Sequence, residues 1–101
     1  MLPGTAKLTE LRKQTLEYTQ KAECEMLCRK IDHEEINQLL QDGDINFSES
    51  NVQNKPFPTY SVGGTTKDGK EIKIIIADCD TISKVVTAID LKLKKDTCNC
   101  N

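Results

Sequence analysis

The chain has 101 residues, with 14 Lys and Arg against 16 Asp and Glu, a formal charge of −2 and a pI near 5.4. That length supports one domain with a single modest core, and the acidic balance argues against a general binder of nucleic acid or anionic membranes. Charged residues of both signs make up 30% of the chain and the longest apolar run is only Ile74–Ala77; this is the composition of a soluble globular domain without a bilayer-spanning segment.

The start, Met1-Leu2-Pro3-Gly4, carries two breakers and reads as flexible through residue 5. From Ala6 to Cys28 no Gly or Pro occurs, and Leu8, Leu11, Thr15, Tyr18, Ala22 and Met26 recur at helical steps. This predicts one long helix whose thin apolar stripe lies against a sheet. Asp32-His33-Glu34-Glu35 is a capping box that opens a second helix, with Ile36, Leu39 and Leu40 on its buried face. Gly43 is placed to end that helix in the left-handed conformation.

The period then changes. Ile45-Asn46-Phe47 predicts a short strand, 48–58 a loop containing Pro56 and Pro58, and Thr59–Thr65 a strand whose Gly63-Gly64 marks a bulge or a close backbone approach. Asp68-Gly69 between two strand-like runs predicts a tight hairpin. Glu71–Asp78 is apolar on both faces and reads as the central strand, and Lys84–Leu91 follows, with Val85, Thr87, Ile89 and Leu91 alternating. The expected fold is α+β: two N-terminal helices on one face of a three- to four-stranded, mostly antiparallel sheet. Residues 6–91 make the single domain and 92–101 a polar tail ending Cys-Asn-Cys-Asn. The expected core is Leu11, Met26, Ile36, Leu39, Leu40, Ile72, Ile74, Ile76, Val85 and Ile89, with Cys79.

Charge is uneven along the chain. Residues 1–31 balance to +2, residues 32–50 hold six acids and no Lys or Arg, and the rest returns to +2. The acidic stretch reads as a solvated helix face, or as a surface for a basic partner. Lys67, Lys70 and Lys73 gather at one hairpin and Lys92, Lys94 and Lys95 follow the last strand, but four aromatic residues make a poor stacking platform. No phosphate-cradling loop, nucleophile elbow or zinc-protease motif is present. The one histidine, His33, excludes a His-rich metal site and leaves any catalytic cysteine a single possible base.

The five cysteines stand out. Cys24 and Cys28 lie four apart on a helix face, Cys98 and Cys100 lie on the tail, and Cys79 ends the central strand. Disulfides, a four-thiolate zinc site and free thiols all remain open, although neither pair has the Cys-x-x-Cys spacing of a metal knuckle. A polar tail orders at a cost of about 1–2 kcal/mol per residue. A tie bringing Cys98 or Cys100 to Cys24 or Cys28, with Cys79 left over, is therefore expected.

Several segments read together resemble one family. They are Cys24–Ile31, Glu35-Ile36, Gly43–Asn46 with Ser48 and Ser50, Pro58-Thr59-Tyr60, Gly64–Lys70, Ile74–Cys79, Lys84–Leu91 and the closing Cys98-x-Cys100. In order and spacing they are similar to the bacterial domain-of-unknown-function family forty-two fifty-eight, over roughly residues 18–100. The resemblance implies a RelE/BrnT-like fold, whose wider group includes endoribonuclease toxins that use Lys, Arg, Tyr or His and no metal. Members of the family commonly carry a His and Arg residues on the first helix. The matching positions here are Lys21, Glu23 and Glu25, so the basic set is absent or reversed in sign, and only Arg29 persists. Some similar proteins are membrane-anchored or exported behind an N-terminal hydrophobic segment, a setting that suits the cysteines. The expectation is thus a non-catalytic binding or structural module, of the cell envelope or exported if such a segment was removed, otherwise cytoplasmic. It needs no cofactor or metal and has a protein partner of unknown kind. The alternative is a RelE-like metal-independent endoribonuclease in which Arg29, His33, Tyr60 and Lys73 converge, or an inactive relative of one.

Overall fold

The computed structural model describes residues 3–93 and 98–100. The chain runs α1 (Pro3–Lys13), β1 (Thr15–Tyr18), α2 (Gln20–Arg29), α3 (His33–Asp42), β2 (Asp44–Asn51), β3 (Thr59–Thr65), β4 (Glu71–Asp78) and β5 (Ile82–Asp90). One five-stranded sheet forms in the order β1-β5-β4-β3-β2, antiparallel except for β1, which pairs parallel with β5. The class is α+β as expected, but three helices replace two and a mixed five-stranded sheet replaces the smaller antiparallel one.

The helix expected over Ala6–Cys28 is interrupted. Thr15-Leu16-Glu17-Tyr18 alternates exposed and half-buried positions, and β-branched and aromatic residues favour the pleated form. Thr15 and Tyr18 fall on the helical stripe by coincidence of spacing. Thr19 then restarts the helix: its hydroxyl oxygen accepts the Ala22 amide at 3.0 Å, and its own amide donates to the Val85 carbonyl. Pro3–Thr5, read as flexible, form the first turn of α1, where proline's fixed φ suits a helix start. Met1, Leu2, 94–97 and Asn101 lie outside the described residues.

The capping box of α3 is present in both directions, Asp32 accepting the Glu35 amide at 2.8 Å and Glu35 the Asp32 amide at 3.0 Å. Gly43 ends the helix but is not left-handed. Its φ is −82° and ψ −174°, and its amide donates to the Leu39 carbonyl at 2.7 Å. Left-handed geometry falls instead on Lys30, φ 58°, which closes α2 together with an Ile31 amide that donates to the Met26 carbonyl. At the hairpin, Gly69 has φ +83° and its amide reaches the Thr66 carbonyl, while the Thr66 amide reaches the Lys70 carbonyl. This is a three-residue loop whose last position needs glycine.

β4 is the middle strand, paired on both sides as expected. Ile72, Ile74 and Ile76 join Val62 and Val85 with Leu11, Ile36 and Leu40 in a core that is essentially sealed from solvent. Ile89, expected there, is only half-buried and Ala88 takes its place. The cause is a bulge: Ile75 pairs with Thr87 but Ile76 with Val85, so Val86 is an extra residue and the inward phase of β5 shifts by one. Cys79 is half-buried beside the β4–β5 turn, outside the core cluster. β2 extends to Asn51, through residues expected as loop, and keeps its ladder with β3 through a register shift.

Candidate functional site

Arg29 belongs to a seam between α2 and β5. β1 ends opposite Val85, so β5 runs on past its neighbour with unpaired backbone groups. α2 supplies the missing partners. One oxygen of Glu25 accepts the Ala88 amide at 3.3 Å and the Thr87 hydroxyl, while the other meets Lys21 Nζ at 3.0 Å and Arg29 Nη1 at 3.1 Å. Arg29 Nη1 donates in turn to the Ala88 carbonyl at 2.7 Å. A carboxylate and a guanidinium thus stand where the next strand would be. Burial pushes the Glu25 carboxyl up, but hydrogen bonds from Thr87, Lys21, Arg29 and Ala88 outweigh it and hold its pKa below the usual range.

His33 lies elsewhere. Its ring stacks on Tyr18, with centroids 4.2 Å apart and planes within 11°, and Nε2 is 2.8 Å from Glu23 Oε1. Burial and then the Glu23 charge push the Tyr18 hydroxyl up to about 12. β1 and the α2–α3 corner bring these three residues together, which the single-helix reading of 6–28 did not foresee. The alternation Thr15–Thr19 was the available signal.

Tyr60 faces the helices, with Lys7 Nζ 5.3 Å above its ring and Phe47 edge-on at 6.4 Å. Lys7 also pairs with Asp78 at 3.1 Å. Burial works against both charges, but Gln14, Lys7 and the Asp80 amide hold Asp78 low, while Glu10 and Asp78 raise Lys7. Lys73 alternates with inward Ile72 and Ile74, so it stands on the far side of the sheet, 3.7 Å from Glu49. The four residues of the nuclease reading therefore occupy separate places. Of the other hairpin and tail lysines, Lys70 bonds the Lys30 carbonyl and Glu35, and Lys92 the Gly69 carbonyl. Lys94 and Lys95 lie outside the described residues.

The acidic stretch shapes a cleft of about 490 Å³ between α3 and the β3–β4 loop, bordered by Asp32, Glu34, Glu35, Asp42 and Asp68, with Lys67 the one cation among the described residues on its rim. Glu35 Oε2 is buried there without a hydrogen-bond partner. Opposite, the tail is tied to α2 by Cys24–Cys100 and Cys28–Cys98, and Cys79 is free. The two spacings are compatible: four residues along a helix rise about 6 Å, a span that two residues of chain can cover. With Cys24, Cys28, Cys98 and Cys100 bridged, no group of three or more His, Cys, Asp or Glu among the described residues is arranged to hold a metal ion. No described helix is long and apolar enough to cross a membrane.

A helix-covered α+β sheet with a stapled tail defines the class. The family profile described as Domain of unknown function (DUF4258) matches residues 18–90, and the chain belongs to that family. No curated protein and no solved structure is significantly similar to the chain.

Proposed function

We propose that the chain is a small non-catalytic binding or structural module of an oxidising compartment such as the cell envelope, and that its acidic cleft faces a basic protein partner. The dispersal of Arg29, His33, Tyr60 and Lys73 carries this reading. Metal-free RNA cleavage needs donors converging on one scissile phosphate. Here Arg29 is engaged at the β5 edge, His33 on Glu23, and Tyr60 and Lys73 on opposite faces of the sheet. Carboxylates at Glu23 and Glu25 repel a phosphate backbone. Two disulfides support the oxidising compartment, and six acids without a Lys or Arg over residues 32–50 support the basic partner.

The purified chain, incubated in chelator at low salt with single-stranded and structured RNA, is expected to leave both intact. Site-specific cleavage that disappears in Arg29→Ala, while the variant remains folded, would reverse the reading in favour of a RelE-like endoribonuclease.

A further inference from the structure

The geometry points to a second state of the strap: as thiols, Cys24, Cys28, Cys98 and Cys100 form a four-thiolate zinc site that holds the tail on α2 in place of the disulfides. The inference rests on the strap alone and is independent of the partner-binding reading. A tetrahedral zinc needs four sulfurs at ~2.3 Å, hence about 3.8 Å from one another. The Cα atoms are 5.7 Å and 6.0 Å apart across the two bridges, and Cys24 and Cys28 are about 6 Å apart along α2. The two bridges therefore sit side by side, one helical turn apart on α2, with all four sulfurs between helix and tail. Opening the bridges and turning each side chain toward the centre brings the sulfurs to tetrahedral spacing around one ion.

The Cys-x-x-Cys rule describes ligands carried on a tight turn. Here one pair sits on a helix and the other two residues apart on the tail, and a spacing of four along a helix sets two side chains on the same side. Thiolates also select zinc over the harder divalent cations. The exchange balances. Each disulfide takes two electrons and two protons from a dithiol, which leaves as its own disulfide, and the four thiols then release four protons on binding one Zn²⁺. A newly made chain passes through the thiol state before it is oxidised, so the site holds the tail in register for the later bridges.

The test uses the full 101-residue chain, reduced with a phosphine and kept free of oxygen, titrated with Co²⁺ and then with Zn²⁺. The expected result is the visible absorption of tetrahedral thiolate cobalt, saturating at one metal per chain and abolished when zinc displaces cobalt. Cys98→Ser/Cys100→Ser should lose the band, Cys24→Ser/Cys28→Ser should lose it from the helix side, and Cys79→Ser should keep it. A reduced chain that shows no tetrahedral band overturns the inference. So does a band that survives in either double variant.

Discussion

A methyl group on residue 43 would lie 2.5 Å from the Leu39 carbonyl oxygen and 2.8 Å from that of Gly63, and one on residue 64 would lie 2.8 Å from Leu39 Cδ1. Gly43 is required because the end of α3 rests directly on β3 and the obstruction is backbone that cannot swing away, whereas at residue 64 it is the tip of the Leu39 side chain, which can turn aside. Gly43→Ala is expected to lower stability by about 1–3 kcal/mol, read from the midpoint of urea unfolding. Lys30 presents the opposite case: an exposed side chain with φ 58°, in a conformation that costs a residue with a Cβ roughly 1–2 kcal/mol. Lys30→Gly recovers part of that, less the extra chain entropy of glycine, and thermal melting should shift upward by a few degrees. The sequence marked Gly43 correctly as a helix terminus, but contact with a strand 20 residues further on is a tertiary fact that no local pattern encodes. Lys30 carries no signal of its own, since left-handed lysine is a demand of the chain reversal and not a preference of the residue.

Glu25 and Arg29 belong to the scale of the element, where α2 finishes the edge of β5. Two part-buried carboxylates, Glu25 in the seam and Asp78 beside Lys7, make a stability contribution that depends on pH with a definite sign. Glu25 and Asp78 both titrate lower in the folded state than their ordinary values of 4.5 and 3.8. The unfolded chain therefore binds protons first, and stability present above those values is lost as the pH falls through the folded ones. Unfolding free energy should be flat from neutral pH to about 5 and decline below about 4, and Glu25→Gln should flatten part of that decline. Arg29→Ala leaves a buried carboxylate with less compensation and is expected to cost about 3 kcal/mol, measured by chemical denaturation. At this scale the strong local signals held: the α3 capping box, the Asp68-Gly69 loop and the β4 run lie where the residues place them. The failures have a common form. β1 is masked because its alternation over Thr15–Thr19 is short and Thr15 and Tyr18 also fit the helical stripe around it. Ile89 was assigned inward because one bulged residue, Val86, reverses every later position of its strand.

For the whole molecule, the two bridges close loops with sequence separations of 76 and 70 residues. Loops of that size restrict the unfolded chain most, and the first bridge to close is worth roughly 4 kcal/mol on the chain-entropy account. Reduction in the presence of chelator is expected to lower stability by about 2–5 kcal/mol while the sheet core, which contains none of the five cysteines, keeps its amide protection. The cysteine pattern was legible from the sequence as a tie between helix and tail, whereas the choice of partners needed the fold. The dispersal of Arg29, His33, Tyr60 and Lys73 was not legible, because it depends on which face of which strand each occupies.

The parallel pairing of Thr15–Tyr18 with Ile82–Val85 sets an order of events during synthesis. β1 has no partner until 67 further residues have followed it, and α1, whose Leu8 and Leu11 enter the same core, waits with it. Contacts this distant in sequence slow folding, since loop closure precedes any gain from pairing. Stretches ending before residue 82 leave the ribosome with an unfinished sheet edge at β4 and an unclosed core. Protease resistance of ribosome-bound chains should therefore appear only after β5 has emerged and in one step, so this fold takes its shape only once its last strand is made.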